Sequence, residues 1–124
     1  MEINDVTEKI IGASYNVSNT LGTGFLEKVY ENALIVELKE QGLFVEQQKP
    51  ISVFYKNQNV GDYYADLVVE NEVIVELKAT KNIAEVHQAQ ILNYLKATGF
   101  HVGLLINFGS SKVEIKRFVN NYKK

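Results

Sequence analysis

The segment Val102–Phe108 is almost continuously apolar, and this run constrains the fold more than any other feature of the chain. A strand with apolar residues on both faces is typical of a sheet that is buried on both sides. The chain has 124 residues, enough for one domain with a sizeable core and too few for a second domain.

Hydrophobic spacing predicts the other elements. The predicted helices span residues 6–21, 26–41 and 84–98, each followed by a glycine. The predicted strands span residues 44–55, 60–69, 73–77, 102–108 and 113–119, with Asn57–Asn59 as the turn between the first two. The element order is therefore ααβββαββ. It predicts an α/β sandwich with a mixed central sheet, in a single domain over residues 1–124.

Composition excludes several classes of site and location. The chain contains no cysteine, which excludes disulfides, thiolate zinc sites and a cysteine nucleophile. The apolar run Val102–Ile106 is far shorter than the ~20 residues that cross a bilayer. Residues 1–10 carry three carboxylates and one lysine, the opposite of a basic signal-peptide start. We therefore expect a cytoplasmic protein with no membrane span.

Charge is distributed unevenly along the chain, whose net charge is −2. Residues 1–77 carry net charge −8 and residues 78–124 carry +6. This asymmetry permits phosphate binding, and the C-terminal lysines with Arg117 are candidates for contacts to backbone phosphates. The alternative is a solvated basic tail with no ligand.

Three charged residues lie within apolar strand patterns, where burial without a task would be costly. Asp66 is on the second predicted strand, and Glu76 and Lys78 are on the third. The strand period of two places Glu76 and Lys78 on one face. Asp66 joins them only if the connecting loop has odd length, such as Glu70–Glu72 with Asn71 left-handed; a two-residue turn would place Asp66 opposite Leu77.

Two carboxylates on adjacent strands suit a hard divalent cation, Mg²⁺ or Mn²⁺. Asp66 and Glu76 would supply oxygens, together with a backbone carbonyl such as that of Leu77. Lys78 could orient or deprotonate a water, or stabilise charge on a phosphate, which is the chemistry of phosphodiester hydrolysis. The alternative is a cross-strand salt bridge, a common arrangement of such residues.

The helices offer further candidates with open alternatives. Gln90 and Tyr94 form an i, i+4 pair that could bind phosphate or fix a carboxylate, although Tyr94 could equally be a core aromatic residue. His87 lies close to the same stripe, as a substrate contact or an ordinary surface histidine. Glu27 could be a functional carboxylate or a helix-start residue favoured by the macrodipole.

Several ordered motifs resemble the GxxExxY proteins, within the PD-(D/E)XK nuclease superfamily. The naming motif is Gly-Phe-Leu-Glu-Lys-Val-Tyr at residues 24–30. Further similar stretches are residues 64–67, 75–79, 88–95 and 103–109. The resemblance covers most of the chain and implies a restriction-endonuclease-like core with helices flanking a mixed sheet.

The resemblance also implies roles at matching positions. Asp66, Glu76 and Lys78 fall on the active-site motif, and Glu27 matches an acidic residue that acts through a metal-bound water. Gln90 and Tyr94 match a motif beside the catalytic centre. The implied activity is Mg²⁺- or Mn²⁺-dependent hydrolysis of DNA, leaving 5′-phosphate ends. The proline of the superfamily motif is replaced here by Ala65.

The small size of the chain leaves its mode of DNA binding open, since specific DNA interfaces bury ~1,000–2,500 Å² of protein surface. We expect a homodimer, a partner protein or weak structure-directed binding. Two alternatives to a nuclease are a catalytically silent module that binds nucleic acid or a protein, and an interaction protein in which the charged residues form only an ion-pair network.

Overall fold

The computed structural model describes residues 1–120 and contains eight regular elements in that range. The helices are α1 (Ile3–Leu21), α2 (Glu27–Glu40) and α3 (Glu85–Thr98). The strands are β1 (Val45–Tyr55), β2 (Gln58–Val69), β3 (Val73–Lys78), β4 (Val102–Asn107) and β5 (Glu114–Val119). Their order along the chain confirms the predicted ααβββαββ arrangement. None of these helices is long and apolar enough to cross a membrane.

The five strands form one mixed sheet in the spatial order β1-β2-β3-β4-β5. The first three strands are an antiparallel meander, β3 and β4 are parallel, and β5 returns antiparallel to β4. Parallel neighbours need a crossover connection, and α3 supplies it between β3 and β4. The predicted α/β architecture with a mixed sheet is therefore confirmed.

Helices cover both faces of this sheet. On one face, α1 and α2 pack against the alternate β3 residues Val73, Val75 and Leu77. On the other face, α3 packs through Ile91 and Leu95 against the remaining sheet residues. All six residues of β4 are buried, which confirms the strand buried on both faces that the apolar run predicts.

The β1–β2 hairpin is longer than the sequence pattern predicts. The turn is formed by Lys56 and Asn57, with φ of 49° and 64°, rather than by Asn57–Asn59. Two successive left-handed residues are typical of the tight turn that matches the twist of a hairpin. Gln58 and Asn59 already belong to β2, where they pair with Tyr55 and Phe54.

Two glycines allow close backbone approach around β4. A Cβ atom on Gly103 would lie 2.9 Å from Cδ1 of Ile91 on α3. A Cβ atom on Gly109 would lie 2.2 Å from the carbonyl oxygen of Thr80, in the loop that follows β3. Each glycine thus fixes a contact between β4 and the segment that leaves β3.

We expect Gly109→Ala to destabilise the protein by about 3 kcal/mol, because the added methyl group meets rigid backbone rather than a flexible side chain. Gly12→Ala is the matched control, because a Cβ atom there has no neighbour within 4 Å on α1. Removing a helical glycine should raise the free energy of unfolding by about 0.5–1 kcal/mol. Urea denaturation of both variants tests this, and equal stabilities would contradict it.

Candidate active site

The connection between β2 and β3 sets the register of the site. Leu67 pairs with Val75 and Val69 pairs with Val73, which leaves the three-residue loop 70–72 between the strands. Continued by one residue, this register sets Asp66 opposite Glu76 rather than opposite Leu77, so the predicted odd-length loop is confirmed. Asn71 is left-handed as predicted, with φ of 54°, and Glu70 is also left-handed, with φ of 53°.

Strands β2 and β3 separate immediately beyond this pairing. The backbone N–H of Asp66 donates to Oε2 of Glu76 at 2.9 Å, and the backbone N–H of Leu77 donates to Oδ2 of Asp66 at 2.8 Å. The two carboxylates therefore bind backbone donors that the interrupted ladder no longer satisfies. This exchange holds both side chains at the point where the strands diverge.

The carbonyl group of Leu77 points to the same opening. In an extended strand, the N–H and C=O of one residue point toward the same neighbouring strand. Since the Leu77 N–H donates to Asp66, the Leu77 carbonyl faces the gap beside that carboxylate. The role of this carbonyl as a metal ligand stays a prediction.

Glu76 is a buried carboxylic acid in the metal-free protein. Its side chain is 5% exposed. Burial, and then the nearby negative charge of Asp66, raise the pKa of Glu76 to about 9. Two carboxylates held this close carry like charges that repel, and a cation between them would relieve the repulsion.

Lys78 ends β3 beside these carboxylates, and buried Asn107 fixes the chain that follows it. The Asn107 amide accepts from the Thr80 N–H and donates to the Thr80 carbonyl, both at 2.9 Å. The Lys78 carbonyl accepts from the Phe108 N–H at 2.8 Å. Within residues 1–120, no ion pair joins Lys78 to Asp66 or Glu76, so the salt-bridge alternative does not hold there.

Glu27 begins α2 and reaches the site from the other side of the sheet. Burial raises the pKa of Glu27, while the positive charge of Lys78 lowers it and the negative charge of Asp66 raises it further. The hydroxyl of Tyr30 holds the preceding loop, since it donates to the Gly22 carbonyl at 2.6 Å. The Tyr30 ring stacks on Phe108 with ring centroids 4.8 Å apart. This packing positions Glu27 relative to β3 and β4.

Sequence reasoning missed a polar network behind Asp66. Buried Glu31 pairs with Lys28 at 2.8 Å and accepts hydrogen bonds from the amides of Gln47 and Gln48. The Gln48 amide also donates to Oδ1 of Asp66 at 3.3 Å. Gln48 has φ of 51° in the middle of β1, a conformation that costs on the order of 1 kcal/mol outside glycine. No sequence signal marks this residue, because it depends on its partner across the sheet.

Helix α3 contributes the residues expected from it. The Gln90 amide donates to the Tyr94 hydroxyl at 2.9 Å. Burial, and then the negative charge of Glu76, raise the pKa of Tyr94. Its ring belongs to the core on the α3 face, so the core-aromatic alternative is correct for the ring, while the hydroxyl lies near the carboxylates. Nδ1 of His87 accepts from the Ala84 N–H at 3.2 Å, and burial and Lys78 lower the pKa of His87.

Arg117, one of the C-terminal cations, lies away from these carboxylates. It donates to Oδ1 of Asn4 at 2.9 Å. It pairs with Leu104, whose side chain packs on the α1 and α2 face of the sheet. Lys123 and Lys124 lie outside the described residues, so their predicted phosphate contacts stay a prediction.

Comparison with known proteins identifies the superfamily of this chain. A family model described as the PD-(D/E)XK nuclease superfamily matches residues 4–118. The chain belongs to this superfamily. The narrower GxxExxY resemblance stays a prediction.

A solved structure shows a similar fold. The crystal structure of SSO0001 has a TM-score of 0.55 to this chain at 16% sequence identity. The alignment covers 97% of this chain and 61% of that one, so this chain spans less than two thirds of its length. At this identity the likeness concerns the fold alone. No curated protein matches the sequence significantly.

PD-(D/E)XK nucleases generally use divalent metals, and the donor set of this chain fits one. Among residues 1–120, no three His, Cys, Asp or Glu side chains are grouped to hold a metal ion. Mg²⁺ is usually bound by one or two carboxylates and several waters. Asp66, Glu76 and the Leu77 carbonyl meet that requirement, and Glu27 would act through a water.

The raised pKa of Glu76 predicts a pH-dependent stability in the absence of metal. Between the ordinary pKa of 4.5 and about 9, the folded protein holds one more proton than the unfolded chain. In EDTA, the free energy of unfolding should therefore fall by on the order of 1 kcal/mol per pH unit across this range. Glu76→Gln should remove most of this slope, because glutamine keeps an acceptor for the Asp66 N–H without a charge, and the smaller part due to the raised pKa of Glu27 remains.

Urea denaturation at several pH values from about 5 to about 9 measures this slope. Glu72→Gln, in the exposed part of the β2–β3 loop, is the control and should keep the slope of the unsubstituted protein. An unchanged slope in Glu76→Gln would show that another group carries the pH dependence.

Proposed function

We propose that this protein is a metal-dependent nuclease that hydrolyses phosphodiester bonds of DNA. The observation that carries this proposal is the side-by-side placement of Asp66 and Glu76 where β2 and β3 separate, with Lys78 next along β3. Membership of the PD-(D/E)XK nuclease superfamily supports phosphodiester hydrolysis as the reaction class.

Each site residue has a role in this proposal. Asp66, Glu76 and the Leu77 carbonyl hold Mg²⁺ or Mn²⁺, and Glu27 contributes through a water. Such an ion supplies positive charge to the phosphate and acidifies water. Lys78 orients the attacking water or stabilises negative charge on the phosphate.

Gln90 and Tyr94 complete the site from α3. Their mutual hydrogen bond fixes the Tyr94 hydroxyl, which lies near Glu76. In this position the hydroxyl and the amide restrain the carboxylate or bind a phosphate oxygen. His87 already accepts a backbone hydrogen bond that caps α3, and we give it no catalytic role.

We also propose that the chain belongs to the GxxExxY family. The three residues that name this motif have separate tasks in the structure. Gly24 has φ of 105°, Glu27 lies near Lys78 and Asp66, and Tyr30 fastens the intervening loop. The motif as a whole therefore delivers one carboxylate to the edge of the site.

The test is cleavage of labelled single-stranded, duplex and flap DNA in Mg²⁺ and in Mn²⁺. We expect the unsubstituted protein to cut at least one substrate, and Asp66→Ala and Lys78→Ala to lower the rate by about 100-fold or more. Lys39→Ala is the control, since this exposed lysine ends α2 away from the site and should leave the rate unchanged.

Calorimetric titration with Mg²⁺ and Mn²⁺ separates the alternatives. Metal binding that is lost in Asp66→Ala supports the proposed site even before a substrate is found. A folded protein that neither cuts these substrates nor binds either metal would contradict the nuclease and favour the catalytically silent binding module.

A further inference from the structure

A groove of about 810 Å³ lies between the β1–β2 hairpin and α3. Phe54 and Tyr63 line it on the hairpin side, and Gln90, Asn93 and Tyr94 line it on the helix side. This volume is within the range of about 300–1,000 Å³ that is typical of small-ligand pockets. The groove is therefore large enough to hold a flat aromatic group.

The groove shares Gln90 and Tyr94 with the candidate active site. The rings of Tyr63 and Tyr94 are 5.7 Å apart between centroids and tilted by 49°. The hydroxyl of Tyr94 bonds to Gln90 and lies near Glu76. A molecule that reaches from the carboxylates along α3 would pass Tyr94 and meet the Tyr63 ring.

The chemistry of the lining is that of a nucleobase site. Tyr63 is 48% exposed and Phe54 is 63% exposed, so both rings have surface available for stacking. Gln90 and Asn93 offer amide donors and acceptors for a base edge. Of the described residues that line the groove, Lys96 is positively charged and none carries a carboxylate. Aromatic stacking with a positive charge is typical of single-strand binding.

We propose that this groove binds an unpaired base of the strand that is cut, so the substrate is single-stranded DNA. The inference rests on the proposed nuclease function, because a metal ion held by the adjacent carboxylates would then bind the phosphate of the same strand. A base stacked inside a duplex is not free to enter a groove beside Tyr63. Paired DNA would contact the protein through its backbone and leave the groove unused.

The test is binding in EDTA, measured by the fluorescence anisotropy of a labelled oligothymidylate and of a duplex of equal length. Without metal, binding is separated from cleavage. We expect the single strand to bind at least tenfold more tightly than the duplex. Tyr63→Leu should weaken single-strand binding about tenfold, the loss expected for one stacked base. Tyr63→Phe should retain the binding, since it keeps an aromatic ring.

Tyr64→Leu is the matched control. Tyr64 is the next residue on β2, is 56% exposed, and does not line the groove. It should bind the single strand within about twofold of the unsubstituted protein, and thermal melting of both variants checks their folding. Equal binding of single strand and duplex, or equal effects of Tyr63→Leu and Tyr64→Leu, would overturn the proposal.

Sedimentation of the same variants tests whether a second copy of the protein, rather than DNA, occupies the groove. Self-association that Tyr63→Leu abolishes without any change in DNA binding would also overturn the proposal. Failure of the groove and failure of the nuclease are distinguishable. Cleavage without single-strand preference would support the nuclease and contradict the base-binding groove. Tyr63-dependent single-strand binding without cleavage would support the groove and contradict the nuclease.

Discussion

The exchange of hydrogen bonds between Asp66 and β3 is the interaction on which the site depends. Where a sheet divides, backbone N–H groups lose their partners, and leaving them buried without acceptors would cost on the order of 1–3 kcal/mol each. Here the side chain of each strand accepts the N–H of the other, Asp66 from Leu77 and Glu76 from Asp66. The two carboxylates thus stabilise the division of the sheet and are held within reach of each other.

This arrangement has an electrostatic cost in the isolated protein. Glu76 is buried beside a second carboxylate, and both burial and that charge raise the pKa of Glu76. A chain selected only for stability would place an amide or a hydroxyl at this position, because either can accept the same hydrogen bond without a charge. The presence of two acids here is what the proposed cation site would explain. The Gln48 amide also links Asp66 to Glu31 through hydrogen bonds, and the left-handed conformation of Gln48 adds backbone strain.

Much of the fold and the centre of the site could be predicted from the sequence because they depend on local periodicity. The parity of the loop at residues 70–72 sets Asp66 opposite Glu76, where the pairing of β2 with β3 ends. The residues that were missed depend on contacts between distant segments. Asn107 ends an apolar strand, and nothing in the sequence marks it. Only the fold shows that its amide hydrogen-bonds to the backbone of Thr80, two residues after Lys78. The position of Arg117 likewise could not be predicted from charge alone, since it follows from the alternation of β5 against β4.

The length of the β1–β2 hairpin links the site to the groove. Strand β2 has twelve residues, but only Leu67–Val69 pair with β3. The hairpin residues beyond this pairing separate from β3, and the gap holds the two carboxylates. The same residues lie opposite α3, and the groove is the space between them. Tyr63 is three residues from Asp66 along this extension, on the face that α3 approaches. A single feature of the sheet, the early end of β2–β3 pairing, therefore places the proposed phosphate site and the proposed base site on one strand.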